Sequence, residues 1–270
     1  MTAPFAFDPA RLESADPPPV EVVNPTGDPL VMLCCDHAAN AVPGHMQRLG
    51  LPQAELDRHI GWDIGAADVT RALAASFDAP AFLSGYSRLI IDCNRPLPSP
   101  TSIPLTSDGT TVPANQALGD EQRRLRAAYF FAPYHQAIAH RLDRVLDQGV
   151  VPFFLSIHSF TPVMNGRARP WQIGLLFEHD TRLVAPLHRA LSRRDPTLTI
   201  GENEPYAIIG PSDYSVPVHA QARGLPHIEI ELRQDLIATR EGAQRWAALL
   251  HDALVEVMAD QALRQIVPPR

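Results

Sequence analysis

The chain has 270 residues, 45% of them apolar, which is enough material for one substantial core at the upper end of a single domain. Lys and Arg total 23 against 30 Asp and Glu, a net charge of −7, and no basic run or aromatic–basic interleaving occurs, so an electrostatically driven nucleic-acid binder is excluded. An anionic ligand must therefore be held by a few local arginines.

Residues 1–28, with Pro17, Pro18 and Pro19, have no charged n-region followed by an apolar h-region and read as an extended N-terminal arm. No stretch approaches the roughly 18 uninterrupted apolar residues of a membrane span, so no membrane partner is expected. Cys34, Cys35 and Cys93 are odd in number, and two are adjacent inside an apolar run. That suits reduced core residues and a cytoplasmic location better than a disulfide frame.

The runs at 29–35, 89–94, 151–159, 172–178 and 227–233 read as strands, the middle ones buried on both faces. Between them, 63–77 carries a broad apolar stripe at helical spacing, and 119–149 reads as one long helix or two broken near Pro133. The segment 240–266 reads as a closing helix. Strands alternating with helices imply an α/β architecture: one domain over 29–270, a mixed, mostly parallel sheet flanked by helices. The stretch 94–116, rich in Pro, Ser and Thr without apolar period, is a long loop of the kind that covers a site or moves.

In an open α/β sheet, ligands sit in the crevice at the carboxyl ends of the strands. His37 follows the first predicted strand, Asp92, Asn94 and Arg95 end the second, His158 ends the third, and Glu231 and Arg233 end the last. No G-x-S-x-G elbow, G-x-G-x-x-G turn or phosphate-binding G-x-x-x-x-G-K-[ST] loop is present. Two histidines from different strand ends with nearby carboxylates match a catalytic zinc site, which uses three protein ligands and leaves a position for water. Other readings compete: Asp63 as a helix N-cap, Asp92 as the partner of Arg88 or Arg95, and Trp62, Tyr86 and Trp171 as core or pocket wall. His59, His135, His140, His188 and His251 fall in helical patterns and read as surface or packing residues.

The motifs "CDHAANAVP", "GWDIGA", "YSRLIIDCNRP", "SIHSFTP", "RPWQIGLLF" and "IELRQDLI", in this order, resemble the N-formylglutamate amidohydrolase family over about residues 30 to 240. That family is related to the zinc carboxypeptidases, so the resemblance implies a zinc-exopeptidase-like (phosphorylase/hydrolase-like) fold. It implies one Zn2+ per chain, or another divalent metal, held by His37 and His158. The position of the carboxypeptidases' ligating glutamate is here Asn40. Asp63 is the preferred third ligand, with Asp36, Asn40 through its oxygen, and an outer orienting role for Asp63 as alternatives. Glu231 would be the general base, with Glu229 on the same strand face left open. Asn94 and Arg95 would hold a substrate carboxylate. Arg88, Arg169 and Arg233 would serve a second carboxylate or the oxyanion, and Asn40 would be a further substrate contact. The implied partner is a small anionic N-acyl amino acid, and the implied reaction removes a short acyl group, formyl first among them, from an acidic amino acid such as N-formyl-L-glutamate. A carboxypeptidase-like peptidase on glutamate-rich peptides and a non-catalytic binder of acidic amino-acid derivatives are the alternatives. The oligomeric state is not legible.

Overall fold

A computed structural model of the chain describes residues 5–210 and 212–268, and the first four residues of the expected arm lie outside the described residues. Its centre is a seven-stranded sheet built from β1 (Val20–Val23), β2 (Val31–Cys35), β3 (Ala81–Ser84), β4 (Phe153–Phe160), β5 (Ile173–Leu176), β6 (Ile200–Glu202) and β7 (His227–Arg233). The spatial order is β1-β3-β2-β4-β7-β5-β6. Strands β3, β2, β4 and β7 run parallel, β1 and β5 are antiparallel to their inner neighbours, and β6 is parallel to β5.

The continuous apolar runs of β2 and β4 are explained by helices on both faces. Val31, Leu33, Leu155 and Ile157 pack against α1 (Ala66–Phe77), α4 (Val184–Arg194) and α5 (Arg240–Met258). Met32, Cys34 and Phe154 pack against α3 (Ala132–Asp147), which α2 (Asp120–Arg126) enters through the π turn Ala127–Phe131. Burial of each such side chain contributes about 1.5–3 kcal/mol. Pro133 has no N–H to continue the ladder, and the helix widens just before it rather than breaking. The three cysteines are free and buried, as their apolar surroundings suggested. Among the described residues, no helix is long and apolar enough to cross a membrane.

The sequence misplaced one strand. Residues 89–94 form turns, and the second parallel strand is β3, which lies earlier. Leu89, Ile90 and Ile91 are buried, but in a separate cluster with Phe7, Met46 and Phe130. Local bonds replace a ladder there: Ile90 N–H donates to the Ser87 carbonyl, Arg95 N–H to the Asp92 carbonyl, and Asn94 N–H to the Asp92 side chain. Other elements among the described residues went unread, including α4, the edge strand β6, and β1 within the predicted arm. The closing helix ends at Met258, short of 266. The 94–116 segment folds back on the body of the chain. It carries a small hairpin, Thr106–Ser107 with Thr110–Thr111, and the buried Asn115, whose Oδ1 accepts from Arg126 Nη1 at 2.7 Å.

His135 and His219 are buried against each other, Nδ1 to Nε2 at 2.9 Å, and His135 Nε2 donates to the Cys93 carbonyl at 2.9 Å. Burial pushes His135 down to about 4 and His219 down to about 3. The fold therefore favours both neutral rings, and the unfolded chain, titrating near 6.5, binds protons first as pH falls. This contribution to stability is complete above about pH 6.5 and is lost progressively toward pH 4. In chemical denaturation from pH 7 to 4, His219→Gln should lose stability with a shallower slope than the parent protein; equal slopes would remove the pair from the acid response.

Candidate active site

Period-two geometry sorts the side chains of the central strands. On β4, Leu155 and Ile157 enter one core, leaving Ser156 and His158 on the opposite face; on β7, Ile230 and Leu232 do the same, leaving Glu229 and Glu231. Parallel register sets Glu231 beside His158 and Glu229 beside Ser156. His37 lies two residues beyond β2, and its carbonyl accepts from Asp63 N–H at 2.9 Å. Asp63 is not the cap of α1. The chain first turns through Gly65, at φ +81, where a Cβ would meet the Ile237 carbonyl at 2.2 Å.

These turns bring three side chains to one point. Asp63 Oδ2 lies 2.9 Å from His158 Nδ1 and 3.3 Å from His37 Nδ1, and accepts from Ser159 N–H at 3.3 Å. His37, Asp63 and His158 are all buried, and one donor atom from each lies within 4.8 Å of the others, so the trio could hold a metal ion. The surroundings fit that use. His37 Nε2 is 2.7 Å from Asp92 Oδ1, and His158 Nε2 is 3.0 Å from Ser156 Oγ and 3.2 Å from Asp36 Oδ2. Each ring thus keeps Nδ1 for the shared point while its outer nitrogen is held, the arrangement that orients metal-ligating imidazoles. Asp36 Oδ1 accepts in turn from Tyr134 Oη at 2.7 Å and Ser215 Oγ at 2.6 Å.

The electrostatics follow from burial and pairing. Burial opposes charge on His158, but Glu229, Asp36 and Asp63 outweigh it and hold the imidazole well above its usual range. His37 is raised as well, Asp92 and Asp63 overcoming burial and Arg88. Asp63 and Asp92 are held low despite burial, by their histidines and, for Asp92, by Arg88 first. The two glutamates behave oppositely. Burial pushes Glu229 up to about 7 and Glu231 up to about 8, and one oxygen of each is buried without a partner among the described residues.

A cavity of about 570 Å³ opens over this cluster. Its floor includes His37, Asp63, His158, Glu229 and Glu231; Thr106, Ser107 and Asp108 form one wall, and Tyr206, Ile209 and Asp213 another. Of the residues expected to bind substrate, Arg88, Asn94 and Arg95 line it. Arg88 donates through Nε and Nη2 to Asp92 at 3.0 and 2.7 Å, and Arg95 Nη1 to Asp213 at 2.6 Å. Asn94 Oδ1 accepts from the backbone of Tyr214 and Ser215, both at 3.0 Å. Arg169 touches two lining residues, Thr161 and Tyr206. Asn40 and Arg233 do not line the cavity: Asn40 donates to Asp57 and Arg233 to Asp235. His59, read as surface or packing, is in the lining, whereas His135 is the packing residue expected. Sequence reasoning missed Asp213 and Tyr206, which sit in a strandless segment. The pairing of Asp92 with Arg88 was expected from sequence, and Asp36 only as an alternative ligand; the bond of Asp92 to His37 and the contact of Asp36 with His158 were not foreseen.

The family model described as N-formylglutamate amidohydrolase matches residues 29–238. A crystal structure of a gene product from Agrobacterium tumefaciens is 31% identical, covers 93% of this chain and 99% of its own, and superposes with a TM-score of 0.88. An N-formylglutamate amidohydrolase from Ralstonia eutropha, 19% identical, covers 91% and 98% with a TM-score of 0.60, a likeness of fold. No curated protein matches the chain.

Loss of an outer carboxylate should weaken the site without emptying it. Asp92→Asn and Asp36→Asn should each reduce affinity for a divalent probe such as Co2+ by about 10–100-fold, read in an optical titration. His37→Ala should abolish binding, and unchanged affinity in both Asn variants would show that the outer carboxylates do not orient the rings toward a metal.

Proposed function

The chain belongs to the N-formylglutamate amidohydrolase family, and on that premise we propose that it removes a short acyl group, formyl first among the candidates, from an anionic amino acid such as N-formyl-L-glutamate, with zinc held by His37, Asp63 and His158. The observation that carries the reading is the convergence of two Nδ1 atoms and one carboxylate oxygen in the cavity lining, beside a glutamate with an oxygen uncommitted among the described residues. Two histidines and one carboxylate form a donor set suited to zinc with an open position. When bound, zinc supplies Lewis acidity toward the amide carbonyl and lowers the pKa of a coordinated water.

Glu231 takes the proton from the attacking water and returns it to the departing amine nitrogen. Three points favour it over Glu229. Register puts it level with His158, it lies nearer the carboxyl end of β7, and Asp63 is among the groups that raise it. Glu229 instead has Oε2 3.9 Å from His158 Nε2, the ring edge turned toward Asp36 and away from Asp63. A desolvated carboxyl near neutrality is suited to both halves of this transfer. Arg95 supplies positive charge for the substrate's α-carboxylate, with Asp213 holding the guanidinium in place. Arg88, through Asp92, orients His37 and lends charge near the reacting carbonyl.

Turnover of N-acyl amino acids by the zinc-loaded protein tests the reading, with amine release from N-formyl-L-glutamate expected and no release across formyl, acetyl and succinyl derivatives overturning it. Glu231→Gln should keep its metal and lose about 10²–10⁴-fold in kcat, the usual contribution of acid–base catalysis, while Glu229→Gln loses much less. If the two variants behave in reverse, the carboxylate roles are exchanged. Arg95→Ala should cost about 2–5 kcal/mol in kcat/KM, the range for stranding a charged partner, with circular dichroism unchanged.

A further inference from the structure

Four arginines line the cavity or touch its lining, and three are already paired. Arg88 is held by Asp92, Arg95 by Asp213, and Arg58 by Glu55 and Asp108. Arg169 differs. Among the described residues it has no carboxylate partner, and its two hydrogen bonds, to Thr161 Oγ1 at 3.3 Å and Tyr206 Oη at 2.9 Å, both leave from Nη1. Its Nε and Nη2 edge, the side-on fork that meets a carboxylate through two parallel bonds, is uncommitted among the described residues.

The guanidinium is also preorganised. Its carbon stands 4.8 Å from the Tyr206 ring centroid and 5.9 Å from that of Phe160, and Arg169 N–H donates to the Pro162 carbonyl at 2.8 Å. Phe160, Thr161 and Tyr206 all line the cavity. His59, another lining residue, is held below its usual range by burial first, with Arg58, Arg88 and Arg169 adding repulsion, so the positive field of Arg169 reaches the cavity. The lining meanwhile carries Asp63, Asp92, Asp108, Asp213, Glu229 and Glu231. A second substrate carboxylate entering there would meet repulsion unless one unpaired cation received it.

We propose that Arg169, stacked on Tyr206, receives the substrate's side-chain carboxylate and sets the preference for acidic over neutral N-acyl amino acids. The inference rests on the amidohydrolase reading for its substrate, but not for its geometry. Arg95, held in place by Asp213, then governs the α-carboxylate, and Arg169 discriminates between dianionic and monoanionic ligands.

The test combines kinetics with binding of glutarate, a dicarboxylate without an amide. In the metal-replete protein, Arg169→Gln should raise KM for N-formyl-L-glutamate by about 10–100-fold with kcat within about threefold, the size of a lost charge-assisted fork. Against N-formyl-L-glutamine, which lacks the side-chain carboxylate, parent and variant should become alike, whereas against N-formyl-4-aminobutyrate, which lacks only the α-carboxylate, the variant should lose as much as on N-formyl-L-glutamate. Arg169→Lys should fall between, keeping charge without the fork. An equal loss on all three substrates, or none on N-formyl-L-glutamate, overturns the assignment. Glutarate binding, read by calorimetry, separates the two levels. Loss of binding in Arg169→Gln without turnover of any N-acyl substrate by the parent sustains this inference and overturns the amidohydrolase reading. Equal binding by parent and variant, or none by the parent, overturns the inference.

Discussion

A carboxylate taken out of water must be answered by charge and hydrogen bonds, and much of the site's arrangement follows from how Asp63 is answered. Its Oδ2 sits between two imidazoles, each of which, being buried, needs its own partner on the outer nitrogen. Asp92 and Asp36 fill those places and are themselves buried carboxylates, so Arg88, Tyr134 and Ser215 are recruited behind them. The sequence of compensations joins the end of β2, the turn before α1, the 88–95 turns, α3 and the segment before β7. Removing one member leaves the next uncompensated, which is why the site is coupled to packing well beyond the cavity.

The parts of this design that were legible in the sequence are those carried by periodicity. The runs at 29–35, 151–159 and 227–233 became central strands because unbroken apolar character requires cover on both faces. His158 and Glu231 could be assigned to a common edge because each interrupts such a run near its carboxyl end. Asp63 was recognisable as polar chemistry before a helix, although a glycine turn, not a cap, fixes its direction. The misplacement at 89–94 has the same origin as the successes. Leu89, Ile90 and Ile91 are as apolar as a strand, but the Ser87 and Asp92 side chains accept from the nearby Leu89 and Asn94 N–H groups and fold the segment into turns.

What lay outside the reach of sequence is whatever depends on distant partners. Asp213 and Asn94 are 119 positions apart, yet both hold the same wall, one through Arg95 and the other through the Tyr214 and Ser215 amides. Asn40 and Arg233 lie within motifs that resemble the family but are drawn to Asp57 and Asp235, so motif membership did not distinguish a wall residue from its neighbour. Gly174 shows a subtler constraint. A Cβ there would strike the Glu204 carbonyl at 2.2 Å and press on Glu231 Cβ at 3.3 Å, so its small size lets the Tyr206 segment approach while leaving Glu231 room.

The position of β7 bears on how the molecule is made. It lies between β4 and β5, yet it is encoded at residues 227–233, after every other strand. During synthesis the half-sheet β1-β3-β2-β4 can assemble with the β4 edge open, and β5 and β6 wait for the strand that will join them to it. An unpaired apolar edge of eight residues invites pairing with another nascent chain. A ribosome that stops before residue 227 would release a chain lacking the strand that bridges the two parts of the sheet, and such fragments are expected to demand chaperone capture or rapid proteolysis.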